Sequence, residues 1–171
     1  KHILNIIKND NKLMEIWNRI PKWIMKADLG RYIYIYNYGG TYLDIDCEVK
    51  KDFSKLLDNH MVLFTEYENA DINTLGPREI KKPEYSLRVA NYGFGTHIKK
   101  HPFLKDTINE CIKRLNIILD EKLDDYTHQD ILWTCGPDVV TTVYHKNKNK
   151  YPDLKLLDIS YLHNLNYASW Q

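Results

Sequence analysis

Asp44 and Asp46 stand two residues apart at the end of an apolar, tyrosine-rich run, Gly30–Val49, GRYIYIYNYGGTYLDIDCEV. Two like charges this close are unfavourable unless a cation sits between them. Hard carboxylate oxygens suit Mg²⁺ or Mn²⁺, which keep several waters and take phosphate oxygens as further ligands. Alternate side chains on a strand share a face, roughly 7 Å apart at the Cα atoms, so both can serve one ion where the strand bends or ends. Asp46 is then the direct ligand, and Asp44 binds through water or holds a neighbouring hydroxyl. Three letters recur everywhere by chance, so the pair by itself also reads as two exposed acids at a strand end.

The elements around the pair carry a conflict. Tyr32–Tyr36 has strong β-propensity, yet Gly39-Gly40 follows, and glycine just past a periodic segment marks a helix end. The spacing predicts a helix over about Lys26–Tyr38, with Asp28 and Arg31 on one face at i, i+3, then a strand over Thr41–Ile45. Leu13, Ile16, Trp17 and Ile20 recur at helical spacing and stop at Pro21. Val62–Glu68 predicts a buried strand, and Pro102 starts an amphipathic helix through Leu119. Gly136-Pro137 starts another with Val139, Val140 and Val143 inward, and Leu154–Leu162 predicts a late strand. Residues 69–86, with Gly76, Pro77 and Pro83, predict a long loop of the kind that is often functional. Strands alternating with helices give an α/β domain.

Composition narrows the function classes. The 171 residues carry 24 Lys and Arg against 23 Asp and Glu, a net charge of +1, so no broad field draws nucleic acid or an anionic membrane. No segment approaches a membrane span. Cys47, Cys111 and Cys135 form no C-x-x-C pair, which favours reduced thiols and a cytoplasmic setting for the chain as given. A Golgi or membrane-anchored parent is the alternative if this is a piece of a longer protein. His97 and His101 have metal-ligand spacing, but Pro102 favours loop histidines. Asp124-Asp125 reads as a helix cap or loop pair, Trp17 and Trp133 as core. Asn91 is expected on the acceptor side of a site, where Gly93 and Gly95 permit close backbone approach.

Asp28-x-x-Arg31 followed by Gly39-Gly40-Thr41-Tyr42-Leu43-Asp44-x-Asp46 resembles the signature of glycosyltransferase family 32, an arrangement shared with the large glucosylating bacterial toxins. His101–Phe103, Gly136-Pro137 and the terminal Ser169-Trp170 fit in family order. The resemblance departs at the start, where family members carry a strand opening like IPKxIHQxW well before the Asp-x-x-Arg helix. Here IPKW stands at Ile20–Trp23, and the nucleotide-binding strand is expected to be missing. It departs again near the end, where His163-Asn164-Leu165-Asn166 stands in place of a His-His pair.

The resemblance implies one catalytic domain over residues 1–171, with a GT-A-like α/β fold and a mixed, mostly parallel central sheet flanked by helices. It implies a retaining, metal-dependent glycosyltransferase using Mn²⁺ or Mg²⁺, a UDP- or GDP-sugar donor and a glycan or protein acceptor. Asp46 becomes the metal ligand, Asp44 contacts the donor and the metal shell, and Asp28 and Arg31 hold the transferred sugar. Tyr42 supports the ribose side, while Ser169 and Trp170 close on the donor. His163 or Ser169 stays open as a further ligand, His163 on even terms with a surface histidine at a strand end. A catalytically inactive glycan-binding or scaffolding relative is the main alternative. A haloacid-dehalogenase-like phosphohydrolase fits less well: it wants Thr or Val two residues beyond Asp46, where Glu48 stands. A calcium loop fails because its glycine and its twelfth-position acid are absent.

Overall fold

The computed structural model describes residues 2–123 and 125–165. Helix α1 (His2–Ile7) and helix α2 (Asn11–Arg19) come first. Asp10 caps α2 by accepting from Leu13 N at 2.9 Å, and Leu13, Ile16 and Trp17 are its buried face. Ile20–Lys22 links it to α3 (Trp23–Tyr38). The β-propensity of α3 is overridden by tertiary packing: Met25, Leu29, Tyr32 and Ile33 reach the core only at helical period. Tyr32, fully buried, donates its hydroxyl to the Cys135 carbonyl at 2.9 Å. Gly39 ends the helix at φ +71, a left-handed conformation that glycine tolerates, with its N–H on Ile35 O at 2.8 Å.

Strand β1 (Gly40–Leu43) follows, one residue earlier than expected, and stops before the acids. Residues 45–46 form a turn closed by Cys47 N on Asp44 O at 3.0 Å, leading into β2 (Cys47–Val49). Strand β3 (Met61–Tyr67) matches expectation. The loop beyond it contains only a 3₁₀ turn at Pro83–Ser86. Strand β4 (Arg88–Thr96) was not anticipated, because Asn91, Gly93 and Gly95 are poor strand formers. Helices α4 (Pro102–Asp120), α5 (His128–Thr134) and α6 (Pro137–Asn147) come next. Of these, α4 and α6 start at the expected prolines, and Val139, Val140 and Val143 are buried. The cap of α5 is Thr127 in a reciprocal box with Asp130. Asp125 lies before it, paired with Lys22 at 2.7 Å, and Asp124 lies outside the described residues.

The expected strand Leu154–Leu162 is two: β5 (Leu154–Leu157) and β6 (Leu162–Asn164), in different sheets. Asp158 breaks it by accepting from Ser160 N at 2.8 Å in a turn. The main sheet has the order β1-β4-β3-β5, and β2 pairs with β6 in a separate ribbon. Strands β1 and β3 are each antiparallel to β4, and β3 is parallel to β5. The expectation of a mostly parallel sheet is therefore corrected: β1, β3 and β5 run the same way, but β4 lies between β1 and β3 and makes two of the three ladders antiparallel.

Helical side chains from all six helices pack with Met61, Leu63, Val89 and Phe94 on one face of the sheet. The other face is covered by Phe53, Leu57 and Leu162 against Val62, Phe64 and Ala90. With both faces covered, β3 reads as an unbroken apolar run. Among the described residues no helix is long and apolar enough to cross a membrane, and all three cysteines are free thiols.

Candidate functional site

The co-directional strands β1 and β3 end on the same sheet edge, the place where open α/β sheets present ligand clefts. A cleft of about 580 Å³ opens there. Its lining includes Asp28, Arg31, Asp44 and Asp46 on the β1 side, Glu66 and Tyr67 at the end of β3, and Arg88, Asn91 and Tyr92 of β4. The 69–86 loop contributes Thr74, Leu75, Gly76 and Glu79, and α5 contributes His128 and Gln129.

At one end the helix brings Asp28 and Arg31 together one turn apart, both side chains 6% exposed. Arg31 Nη2 pairs with Asp28 Oδ1 at 2.9 Å and its Nη1 with Asp44 Oδ1 at 3.2 Å. Nη1 also donates to the Asn91 carbonyl at 3.0 Å, and Asn91 Nδ2 donates to Asp28 Oδ1 at 3.2 Å. The guanidinium lies over the Tyr42 ring, 4.4 Å from its centroid. Tyr42 donates its hydroxyl to Asp44 Oδ1 and stacks on Phe94. The backbone fixes both acids: Asp44 N donates to Tyr92 O at 2.8 Å, and Leu165 N donates to Asp46 O at 2.9 Å. Ile45, between them, is fully exposed.

Burial drives the electrostatics. It pushes the Asp28 carboxyl from 3.8 up to about 7; Arg31 opposes the rise, Asp44 adds to it and the Asn91 hydrogen bond opposes it. Burial alone would lower the Arg31 pKa, but Asp28, Tyr32 and Asp44 outweigh it and the net shift is upward. Burial and the hydrogen bond to Asp44 raise the Tyr42 phenol. Arg31 Nε is buried with no hydrogen-bond partner among the described residues.

The structure joins Asp28, Arg31 and Asp44 in one ion network and places Asp46 on the same cleft through the turn at residues 45–46, not through strand alternation. Tyr42 does not line the cleft; it sits behind Arg31 and Asp44 and holds them in place. His163 is exposed and pairs in register with Glu48, while its neighbour Asn164 lines the cleft. Alternation along β6 puts the two on opposite faces, and His163, left open between a further ligand and a surface histidine, is not among the residues lining the cleft. Asn91, expected on the acceptor side, lines the cleft and donates through its side chain to Asp28. Ser169 and Trp170 lie outside the described residues. His97 and His101 are held by Asp58 at 2.6 Å and Asp153 at 3.1 Å, away from the cleft. Among the described residues no group of three or more His, Cys, Asp or Glu side chains is arranged to hold a metal.

Sequence reasoning missed Glu66, Glu79 and Arg88. The one signal was the length of the 69–86 loop, which supplies part of the cleft wall.

Residues 1–63 match the family described as "Glycosyltransferase sugar-binding region containing DXD motif". Inositol phosphoceramide mannosyltransferase 1 of Schizosaccharomyces pombe is 35% identical over 63 residues, covering 30% of this chain and 20% of the relative. The match thus spans about a fifth of that relative's length. No solved structure matches the chain. The family match, which holds Asp28, Arg31, Asp44 and Asp46, stops short of β4, and the two matches together support a glycosyltransferase family.

Proposed function

We propose that the chain is a metal-dependent, retaining glycosyltransferase that moves a hexose from a UDP- or GDP-sugar to a glycan or protein acceptor. The observation that carries this reading is the buried Asp28–Arg31–Asp44 network beside Asp46 at the mouth of one cleft. The donor set fits Mn²⁺ or Mg²⁺, since it offers only carboxylate oxygens and leaves room for phosphate oxygens. Asp46 takes the direct-ligand role that the resemblance implies, and Asp44, whose Oδ1 is held by Tyr42 and Arg31, takes the outer one. When bound, the ion neutralises charge on the departing diphosphate.

The chain's own groups do the rest. Arg31, fixed by two carboxylates and a tyrosine ring, presents a pre-organised positive charge to the diphosphate as the glycosyl–oxygen bond breaks. Asp28 accepts hydrogen bonds from hydroxyls of the transferred sugar. The acceptor oxygen bonds to the anomeric carbon, the electron pair of the broken bond stays on the leaving phosphate oxygen, and the acceptor proton moves to that oxygen. No enzyme nucleophile is required, because the leaving group is already good. Ser169 and Trp170 serve the donor side, Trp170 through its indole N–H, a donor suited to an oxyanion.

A panel of UDP- and GDP-sugars with Mn²⁺, read as released nucleotide, tests this. Release from one donor, abolished by chelation, is expected. No release, together with no calorimetric binding of any nucleotide with Mn²⁺, would refute the activity and leave a sugar-binding or scaffolding role.

A further inference from the structure

The far end of the cleft is built around Arg88, which gives each guanidinium nitrogen one carboxylate. Nε pairs with Glu66 at 3.1 Å, Nη1 with Glu79 at 3.3 Å and Nη2 with Asp138 at 2.5 Å. Two of these acids have structural employment. Glu79 Oε2 accepts from Gly76 N at 3.2 Å and so ties the loop to β4. Asp138 is almost fully buried at the start of α6 and does not line the cleft. Glu66 differs. It lines the cleft with its side chain only 11% exposed, gives Oε2 to Arg88, and receives no hydrogen bond at Oε1 from any described residue.

Charge then says what this end accepts. Asp28, Asp44, Asp46, Glu66 and Glu79 line the cleft against Arg31 and Arg88, and no lysine lines it among the described residues. At the Asp44–Asp46 end that excess suits a cation carrying a diphosphate. At the Glu66 end Arg88 is already committed to three carboxylates, so an anionic group would meet uncompensated negative charge. A hydroxyl, by contrast, donates well to a buried carboxylate oxygen.

We propose that the Glu66 end is the acceptor subsite and takes an uncharged, hydroxyl-bearing sugar, Glu66 Oε1 accepting a hydrogen bond from one of its hydroxyls. This rests on the glycosyltransferase reading for the word acceptor, but the binding itself does not depend on turnover. Thr74, exposed on the loop, lines the same cleft and bounds the ligand from the solvent side.

Saturation-transfer NMR on the whole chain, with methyl glycosides of mannose, glucose and galactose and with their 6-phosphates, tests the subsite without a donor. The wild type is expected to bind at least one neutral glycoside, and its 6-phosphate about tenfold more weakly or not at all. Glu66→Gln, which leaves Arg88 two carboxylates, should weaken the neutral glycoside by about tenfold. Thr74→Trp, an exposed change outside the ion cluster, should block it sterically with the melting temperature kept. Binding of no glycoside by the wild type overturns the inference. So does equal or tighter binding of the phosphates, or glycoside binding unaltered in both variants. A chain that binds glycosides through Glu66 yet releases no nucleotide from any donor upholds the sugar subsite and refutes the transferase activity, so the two failures are distinguishable.

Discussion

Asp28→Asn should stabilise the protein while disabling it. Asp28 is buried, and its carboxyl titrates at about 7 in the fold against 3.8 for an ordinary aspartate. The unfolded chain therefore releases this proton first as pH rises, and each unit between the two values costs the fold about 1.36 kcal/mol. That stability is fully present below pH 3.8, is lost as pH climbs towards 7, and stays lost above. The cost of keeping Asp28 is then about 4 kcal/mol at pH 8 and under about 2 kcal/mol at pH 5, as orders of magnitude. Asparagine keeps the shape of the neutral acid and leaves Arg31 its contacts with Asp44 and Asn91 O. Urea unfolding of both chains in EDTA, at pH 5 and pH 8, should show the variant more stable at both, with the larger gain at pH 8. Burial also raises Glu66 and Asp138, so the wild-type curve alone is a composite and the difference between chains isolates Asp28. On the proposed function, sugar transfer should fall by about a hundredfold or more, the pattern of a functional group kept at the expense of stability. A variant less stable than wild type at pH 8, or a gain that does not grow with pH, would refute the reasoning.

Three further outcomes are expected. Arg31→Lys should lose transfer almost as fully as Arg31→Ala in nucleotide-release assays, with free-nucleotide affinity little changed. One ammonium cannot reach Asp28, Asp44 and the Asn91 carbonyl from a seat on the Tyr42 ring. Asp46→Ala should abolish calorimetric binding of Mn²⁺ with nucleotide while keeping the melting temperature, because the turn is held by the backbone bond from Leu165 N to Asp46 O; persistent Mn²⁺-dependent turnover would refute Asp46 as the metal ligand. Gly93→Ala would set a methyl 2.2 Å from Leu162 Cδ2, and since Leu162 is buried the overpacking should cost about 1–3 kcal/mol in thermal or urea unfolding. It should also slow transfer, because Leu162 opens the strand that leads to the Leu165 clamp on Asp46; an unchanged melting temperature would show that this ribbon yields freely.

What could be read from the sequence was local. Asp28 and Arg31 lie one helical turn apart, Gly39 ends that helix, and Asp44 and Asp46 follow within a few residues, so one short segment carries most of that end of the cleft. The prolines at 102 and 137 start α4 and α6 for equally local reasons. Tertiary structure decided the rest. Strand β4 is stabilised by ladders on both sides rather than by its glycine-containing sequence. Its insertion between β1 and β3 places Asn91 against Asp28. Register on β2 sends Asn164 to the cleft and His163 to the opposite face. Glu66, Glu79 and Asp138 converge on Arg88 from a strand end, a loop and a helix start, and no spacing rule links segments so far apart in the chain. The ionisation of Asp28 depends on burial by surrounding elements, a property that its neighbours in sequence do not carry.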